Sequence, residues 1–512
     1  MTGHDLRHPA SLIAALLATV VSITSDAQEE YSPSLKSEYP QNVYWGDTHL
    51  HTNLSGDAVF KLGPDEAYRF ALGEVVTSSS GVNAQITRPL DFLVVADHGN
   101  NMGAELTRER IKTDAAFRST TIAKLWEEAK EDLLDTDGTD TERLLNGPLW
   151  QGDKKDVAIR HPGFRQNIWD TVTSNADRYN DPGQFTAFIG YEYTPGLGAI
   201  HRVVIFKDDA VKAQEILPFT SWDSFDPEDL WSFMADYEEN TGGSILAIPH
   251  NGNLTYGPLM FPLITSKNEP LTRDYNLRRS RWEPLVEATQ IKGDSETHPT
   301  ISPDDEFADF ETWNGWAGRV NGGVMWTGRN TYMRPDNEIQ FQYSRSALKL
   351  GLGEQARTGV NPFKFGMIGS SDSHTGLAAV DENNFFGKTM SAEPSSTRVL
   401  GKWAIINWEM NAAGYAAVWS KENTRESIFD AMQRKEVYAS TGPRMTVRFF
   451  GGWDYTSGDA ARSDLAEIGY AKGVPMGGDL AHGPKGKSPK FLIRAVKDPI
   501  GAHLDRLQVV KG

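Results

Sequence analysis

Cysteine is absent from the 512 residues, which excludes disulfides, thiolate metal sites and cysteine nucleophiles together. Positive charge is scarce as well. Lys and Arg number 51 against 69 Asp and Glu, a net charge of −18 with a pI near 5.2. A surface of that sign disfavours nucleic acid and anionic lipid, because both are bound by basic faces. The expected partner is therefore a small molecule, with no nucleic acid and no membrane. Long apolar runs are lacking too: the longest, Ser11 to Ile23, has 13 residues and is too short to span a bilayer. What is abundant is core material, 39% hydrophobic residues with 14 Trp, and 12 histidines that inherit the metal and acid–base chemistry.

The short apolar run follows Arg7 and is followed by Ser25-Asp26-Ala27, small residues at the two positions a signal peptidase reads. Residues 1–27 are expected to be a secretory signal, and the mature protein periplasmic or secreted. Residues 28–42 are polar and contain proline, and read as an extended arm.

From Val43 short apolar strands alternate with amphipathic helices up to about residue 437, which suggests an α/β barrel or a doubly wound sheet. The helices are placed at Asp65–Gly73, Asp114–Leu134, Gln166–Tyr179, Pro227–Asn240, Ser344–Gly351 and Thr424–Arg434. The strands are placed at Phe92–Ala96, Phe185–Tyr191, Arg202–Phe206, Ile245–Ile248, Val286–Ile291 and Phe365–Ile368. These strands are continuous apolar runs, the pattern of a parallel sheet buried on both faces. Residues 438–512 change character. Met445–Phe450, Phe491–Val496 and Leu507–Val510 read as strands of a small β domain without helices. The chain stops two residues after an apolar strand-like segment, so a truncated C-terminus is expected, with an unpaired sheet edge.

The chemistry gathers at strand ends. Tyr44–Thr48 runs into His49-Leu50-His51, with Asp57 six residues later. Phe92–Ala96 runs into Asp97-His98, Phe185–Tyr191 into Glu192 with His201 beyond it, Ile245–Pro249 into His250, and Phe365–Ser371 into Asp372-Ser373-His374. In a β/α barrel the C-terminal strand ends share one mouth, so these side chains would meet there. His49 and His51 leave the same face of an extended segment and can hold one ion. Imidazole and carboxylate without sulfur suit Zn, Mn or Fe at a hydrolytic centre. Glu192, with two oxygens, is the natural bridge between ions. A lone histidine such as His161, His298, His482 or His503 is better read as an ordinary surface or core residue. A single His-x-His or Asp-His pair would be weak evidence, but five strand ends of one kind are not. Trp313, Trp316 and Trp326 suit a pocket wall and plain core equally.

His49-Leu50-His51-Thr52, Asp57, Asp97-His98, Glu192, His250 and Asp372-x-His374 follow the order of the motifs of the PHP (polymerase and histidinol phosphatase) superfamily. The blocks YWGDTHLHT (Tyr44–Thr52), HRVVIF (His201–Phe206), QIKGDSETHP (Gln290–Pro299), GSSDSHTG (Gly369–Gly376) and EVYASTGP (Glu436–Pro443) resemble a bacterial branch, domain-of-unknown-function family 3604. That resemblance implies a distorted (β/α)7 barrel over residues 43–437 and two or three divalent ions. It implies His49, His51, Glu192 and Asp372 around a first ion. Glu192, His250 and His201 would hold a second, and Asp57, His98 and His374 a third. Asp57 replaces a histidine found in some relatives, and a carboxylate there favours a harder ion. Asp47 and Asp97 are expected behind the ligands, orienting imidazoles.

The expected activity is metal-assisted hydrolysis by ion-activated water, with Glu192 as the bridging catalytic residue. A phosphomonoester or phosphodiester is the preferred substrate. Lys292 and Arg202 are candidates to clamp it, and Glu296 and His298 to line the mouth. A sulfate ester, amide or lactone is the alternative on the same centre. A metal-stabilised binding module is the alternative of another class.

Overall fold

The computed structural model describes residues 38–57, 61–134, 161–195, 199–255, 257–313, 336–398 and 410–512. The expected signal segment, most of the arm, and Trp316 and Trp326 lie outside these residues. Tyr39 to Gly512 forms one compact unit. Among the described residues no helix is long and apolar enough to cross a membrane.

The apolar runs form nine strands of a mixed α/β fold: β1 (Asn42–Leu50), β2 (Phe92–Val95), β3 (Thr186–Tyr193), β4 (Arg202–Phe206), β5 (Ile245–Pro249), β6 (Leu285–Gln290), β7 (Gly366–Gly369), β8 (Tyr415–Ser420) and β9 (Val437–Ser440). Seven of them make one curled sheet in the order β9-β8-β1-β2-β3-β4-β5. β1, β2 and β3 are parallel, as expected. β4 is antiparallel to both β3 and β5, and β8 is antiparallel to β1, so the sheet is mixed and the all-parallel expectation is corrected. The cause lies in chain length. Only residues 194–201 join β3 to β4, too few for a helical crossover, so the chain must turn back. β3, β4 and β5 are nevertheless buried along their whole length. Burial on both faces, not parallel pairing, erased their alternation.

β6 and β7 are parallel in a second sheet. This sheet is sewn to the first at its chemically rich end, where His51 N–H donates to Ser373 O at 2.9 Å. Side-chain size controls the fit: a Cβ on Gly369 would lie 2.8 Å from Tyr415 O and 3.0 Å from Ser440 O. Gly414 has φ +101° and lies so close to Ser370 that a Cβ there would meet its carbonyl oxygen at 1.9 Å. Both contacts press β7 against β8 and β9.

Proline sets three helix starts: α1 (Pro64–Ala71), α4 (Pro162–Tyr179) and α5 (Pro227–Thr241). The long helix expected at Asp114–Leu134 starts only at Thr121, as α3 (Thr121–Leu134), and a separate helix α2 (Ala104–Thr113), not expected, ends just before Asp114. Asp114 breaks it, because its Oδ1 accepts from the N–H groups of Ala116 and Phe117 and turns the chain.

Beyond β9, strands β10 (Thr446–Gly452), β11 (Gly473–Pro475) and β12 (Lys490–Val496) pair antiparallel with β10 in the middle. The expected absence of helices here is corrected: Ser457–Ala460 and Leu465–Lys472 are helical, and Leu465 and Ile468 pack on Phe450, Tyr455 and Leu492. The expected strand Leu507–Val510 is also corrected. It lies exposed without ladder partners, and an apolar segment without a neighbour has no backbone bonds to make. The boundary placed at 437/438 falls inside β9. The last segment is tied to the main sheet by Arg88 with Asp498 (2.7 Å) and by Trp419 Nε1 donating to Val447 O (2.9 Å).

Candidate metal centre

Strand ends deliver eight donor side chains to one place, and the turn after β1 adds Asp57. His49 is the penultimate residue of β1 and His51 directly follows the strand, both fully buried. β2 is followed by His98, β5 by His250 and β7 by Asp372 and His374, while Glu192 stands near the end of β3 and His201 precedes β4. Two backbone positions here are left-handed, Asn251 (φ +68°) and Asp372 (φ +50°). Asn and Asp tolerate that conformation better than bulkier residues, and it re-aims the chain at the strand end.

Glu192 occupies the centre. Its Oε1 lies 2.6 Å from His201 Nδ1 and 3.1 Å from His250 Nε2. Its Oε2 lies 2.9 Å from His98 Nδ1, 3.3 Å from His51 Nε2 and 3.5 Å from His49 Nε2. The two oxygens thus face two different sets of imidazoles. Asp372 Oδ1 is 3.4 Å from His51 Nε2 and 3.6 Å from His49 Nε2. Asp57 Oδ2 is 3.1 Å from His374 Nε2 and 3.3 Å from His98 Nε2.

Four groups bring their donor atoms within 4.8 Å of one another: His51, Asp57, His98 and His374; His49, His51 and Glu192; Glu192, His201 and His250; and His49, His250 and Glu287. Divalent ions fit the first three of these groups; in the fourth, Glu287 meets the far nitrogen of His49. His49 Nε2 and His51 Nε2 lie 3.1 Å apart, a meeting of two lone-pair atoms that a shared cation relieves. Asp57 Oδ1 and His250 Nδ1 are buried with no hydrogen-bond partner. Protons otherwise carry the compensating charge. Burial opposes it, but Asp372 and Glu287 push His49 up to about 10, and Glu192 and Asp57 raise His98 well above the imidazole range. Burial alone would raise Glu192, yet His98 and His201 hold it well below the carboxylate range. Burial likewise pushes Asp372 upward, but Lys292, Lys388 and His49 hold it low.

Asp47 and Asp97 are placed differently from expectation. Asp47 accepts from the backbone N–H of His49 (2.9 Å) and of Ser371 (3.0 Å), and Asp97 from Thr52 N–H (2.5 Å) and Oγ1 (2.7 Å). They lock the chain where strands end and do not reach an imidazole. Burial raises them to about 6 and about 7. The imidazoles take other supports: His51 Nδ1 meets Ser55 Oγ at 2.9 Å, and His98 Nδ1 meets Thr194 Oγ1 at 2.7 Å.

Lys292 reaches the cluster, where its Nζ pairs with Asp372 Oδ2. Arg202 does not. It is buried, bonded through Nε to Glu283 Oε1 (3.0 Å) and through Nη1 to Ile200 O, because its side chain leaves the strand on the face opposite His201. Glu296 is paired with Arg345 at 2.7 Å, and His298 packs on Tyr343 with ring centroids 5.6 Å apart. Trp313 is buried. Two residues of the cluster lie outside the strand-end pattern. Glu287 lies inside the apolar β6, and its alternation with Val286 and Ala288 was its only mark. Lys388 sits in a loop, buried, with Nζ 2.5 Å from Asp372 Oδ1 and 2.8 Å from His374 Nδ1.

No curated protein matches the chain. A solved structure from Bacteroides vulgatus ATCC 8482, a two-domain protein containing a predicted PHP-like metal-dependent phosphoesterase, shows a likeness with TM-score 0.30 and 10% identity. It covers 77% of this chain and 64% of that one, so the chain spans less than two thirds of that protein. The family model described as protein of unknown function, DUF3604, matches residues 38–512, and the chain belongs to that family.

Proposed function

We propose that this protein is a periplasmic or secreted metal-dependent hydrolase with a distorted PHP-type (β/α)7 barrel, acting on phosphomonoesters or phosphodiesters. The observation that carries the reading is Glu192, whose two oxygens face separate imidazole sets, His201 with His250 and His49, His51 and His98. A carboxylate so placed serves two ions, whereas a structural site closes around one ion with few ligands. Two or three divalent ions (Mn, Zn or Fe) would activate water near neutral pH and offset charge on the ester oxygens. The chain's residues hold and aim them. Asp57, His98 and His374 form one end of the cluster, and His250 with His201 the other. Lys292, 12% exposed, is the cation able to leave Asp372 and meet a substrate oxygen.

The test is metal analysis of the secreted protein, followed by nitrophenyl phosphate, bis-nitrophenyl phosphate, nitrophenyl sulfate and nitrophenyl acetate turnover with Mn2+, Zn2+ or Fe2+. Phosphoester turnover that a chelator abolishes supports the reading. Turnover of sulfate or acetate alone moves the activity to another ester class, and bound metal with no turnover favours a binding module.

A further inference from the structure

Glu287 belongs to β6 and is buried. Its Oε2 lies 2.9 Å from His49 Nδ1, while His49 Nε2, on the other side of the ring, faces His51, Glu192 and Asp372. The two nitrogens of an imidazole are coupled: a partner that accepts from Nδ1–H leaves the Nε2 lone pair for an ion. His250 stands beside His49, with ring centroids 4.2 Å apart and a ring nitrogen within 4.8 Å of a Glu287 oxygen. Its Nε2 is turned to Glu192 at 3.1 Å, and its Nδ1 is buried without a hydrogen-bond partner, as is the second Glu287 oxygen, Oε1. The Glu287 carboxylate therefore lies behind His49, on the side of the ring away from Glu192.

We propose that Glu287 is a positioning residue. It fixes the Nδ1–H tautomer of His49, so that the ring presents Nε2 to the ions at Glu192. The inference rests on the metal-centre reading above, and it sets the order of contact: Glu287 acts through His49 and does not ligate.

Glu287→Gln keeps the shape and an amide oxygen for His49 but removes the charge that favours its proton. The experiment is titration of the metal-free protein with Zn2+ and with Mn2+ against a competing chelator, across pH, for wild type, Glu287→Gln and Glu287→Asp. The expected result for Glu287→Gln is a loss of metal affinity of about 10–100-fold. The number of ions bound at saturation should be unchanged, and Glu287→Asp should recover part of the affinity. Circular dichroism of the metal-free variants checks folding, and if Glu287→Gln does not fold, Glu287→Asp alone should show the weakened binding. Wild-type affinity in Glu287→Gln overturns the proposal. Loss of one whole ion at saturating metal also overturns it, since Glu287 would then be a ligand. No metal binding by the wild type would instead sink the metal-centre reading itself.

Discussion

The ammonium of Lys388 lies 2.5 Å from Asp372 Oδ1, and both side chains are buried. The same Nζ is bonded to the Asp372 carbonyl and lies 2.8 Å from His374 Nδ1, so it is enclosed by groups of the DxH segment. Burial lowers it to about 8 against the pull of Asp372. Together with Lys292 it neutralises a carboxylate that would otherwise sit uncompensated in a low-dielectric site.

Lys388→Met should therefore destabilise the metal-free protein by about 1–3 kcal/mol, the cost of leaving buried Asp372 with Lys292 as its one remaining ammonium. Divalent ions can supply the missing charge, so added Mn2+ or Zn2+ should restore much of the loss. Thermal and urea unfolding with and without metal would check this. Equal destabilisation in both conditions would refute the compensation.

Glu192→Gln removes the central negative charge while keeping its volume. At least one ion should be lost or bind much more weakly, because two dications then repel with less compensation. Ester hydrolysis should fall by about 100-fold or more. Elemental analysis and turnover on one preparation would measure both. Full occupancy with undiminished turnover would sink the bridging role.

Arg202→Leu separates fold from chemistry. Glu283 would keep Arg279 (3.1 Å) and Trp231 Nε1 (3.0 Å) but lose Arg202, at a cost of about 3 kcal/mol. Metal content and KM should not move, since Arg202 lies on the far side of its strand. Lys292→Met should raise KM for an anionic ester, and it should also cost stability, because it takes a cation from buried Asp372. A raised KM in Arg202→Leu would return that residue to the site.

Glu311 gives a pH signature distinct from the metal centre. Burial, with Asp294 and Glu382 nearby, pushes its carboxyl up to about 8, and Asp294 itself is raised to about 7. Between the ordinary carboxyl range and pH 8 the folded chain holds a proton that the unfolded chain has released, so stability falls as pH rises. Glu311→Gln should be more stable than wild type at pH 8 by about 1–3 kcal/mol, with the difference vanishing near pH 4. Urea unfolding across that range measures it, and a constant difference would contradict the raised carboxyl.

Much of the donor set was legible because the fold writes it locally. A buried strand is a run of apolar residues, so a polar residue in its last positions or just beyond them lies at the strand end: His49 and Glu192 stand one residue before the ends of β1 and β3, His250 directly after β5, and His98 and Asp372 three residues past β2 and β7. The strand positions were legible for the same reason, and β4 matches residue for residue. Strand direction was not, since double-sided burial looks alike in parallel and antiparallel pairs. Asp114 was read as a helix start, although its side chain bonds two following N–H groups and breaks the helix there.

The sequence by itself determined which residue types stand at the strand ends, and with them a sulfur-free imidazole and carboxylate chemistry. Only the tertiary structure decided what stands behind each donor. Asp47 and Asp97 turned out to hold backbone, Arg202 to pair with Glu283, and Glu287 and Lys388 to support His49 and Asp372 from 238 and 16 residues away. The reason is physical. A strand end is a property of neighbours along the chain, whereas a hydrogen-bond partner depends on which distant segment packing brings within about 3 Å.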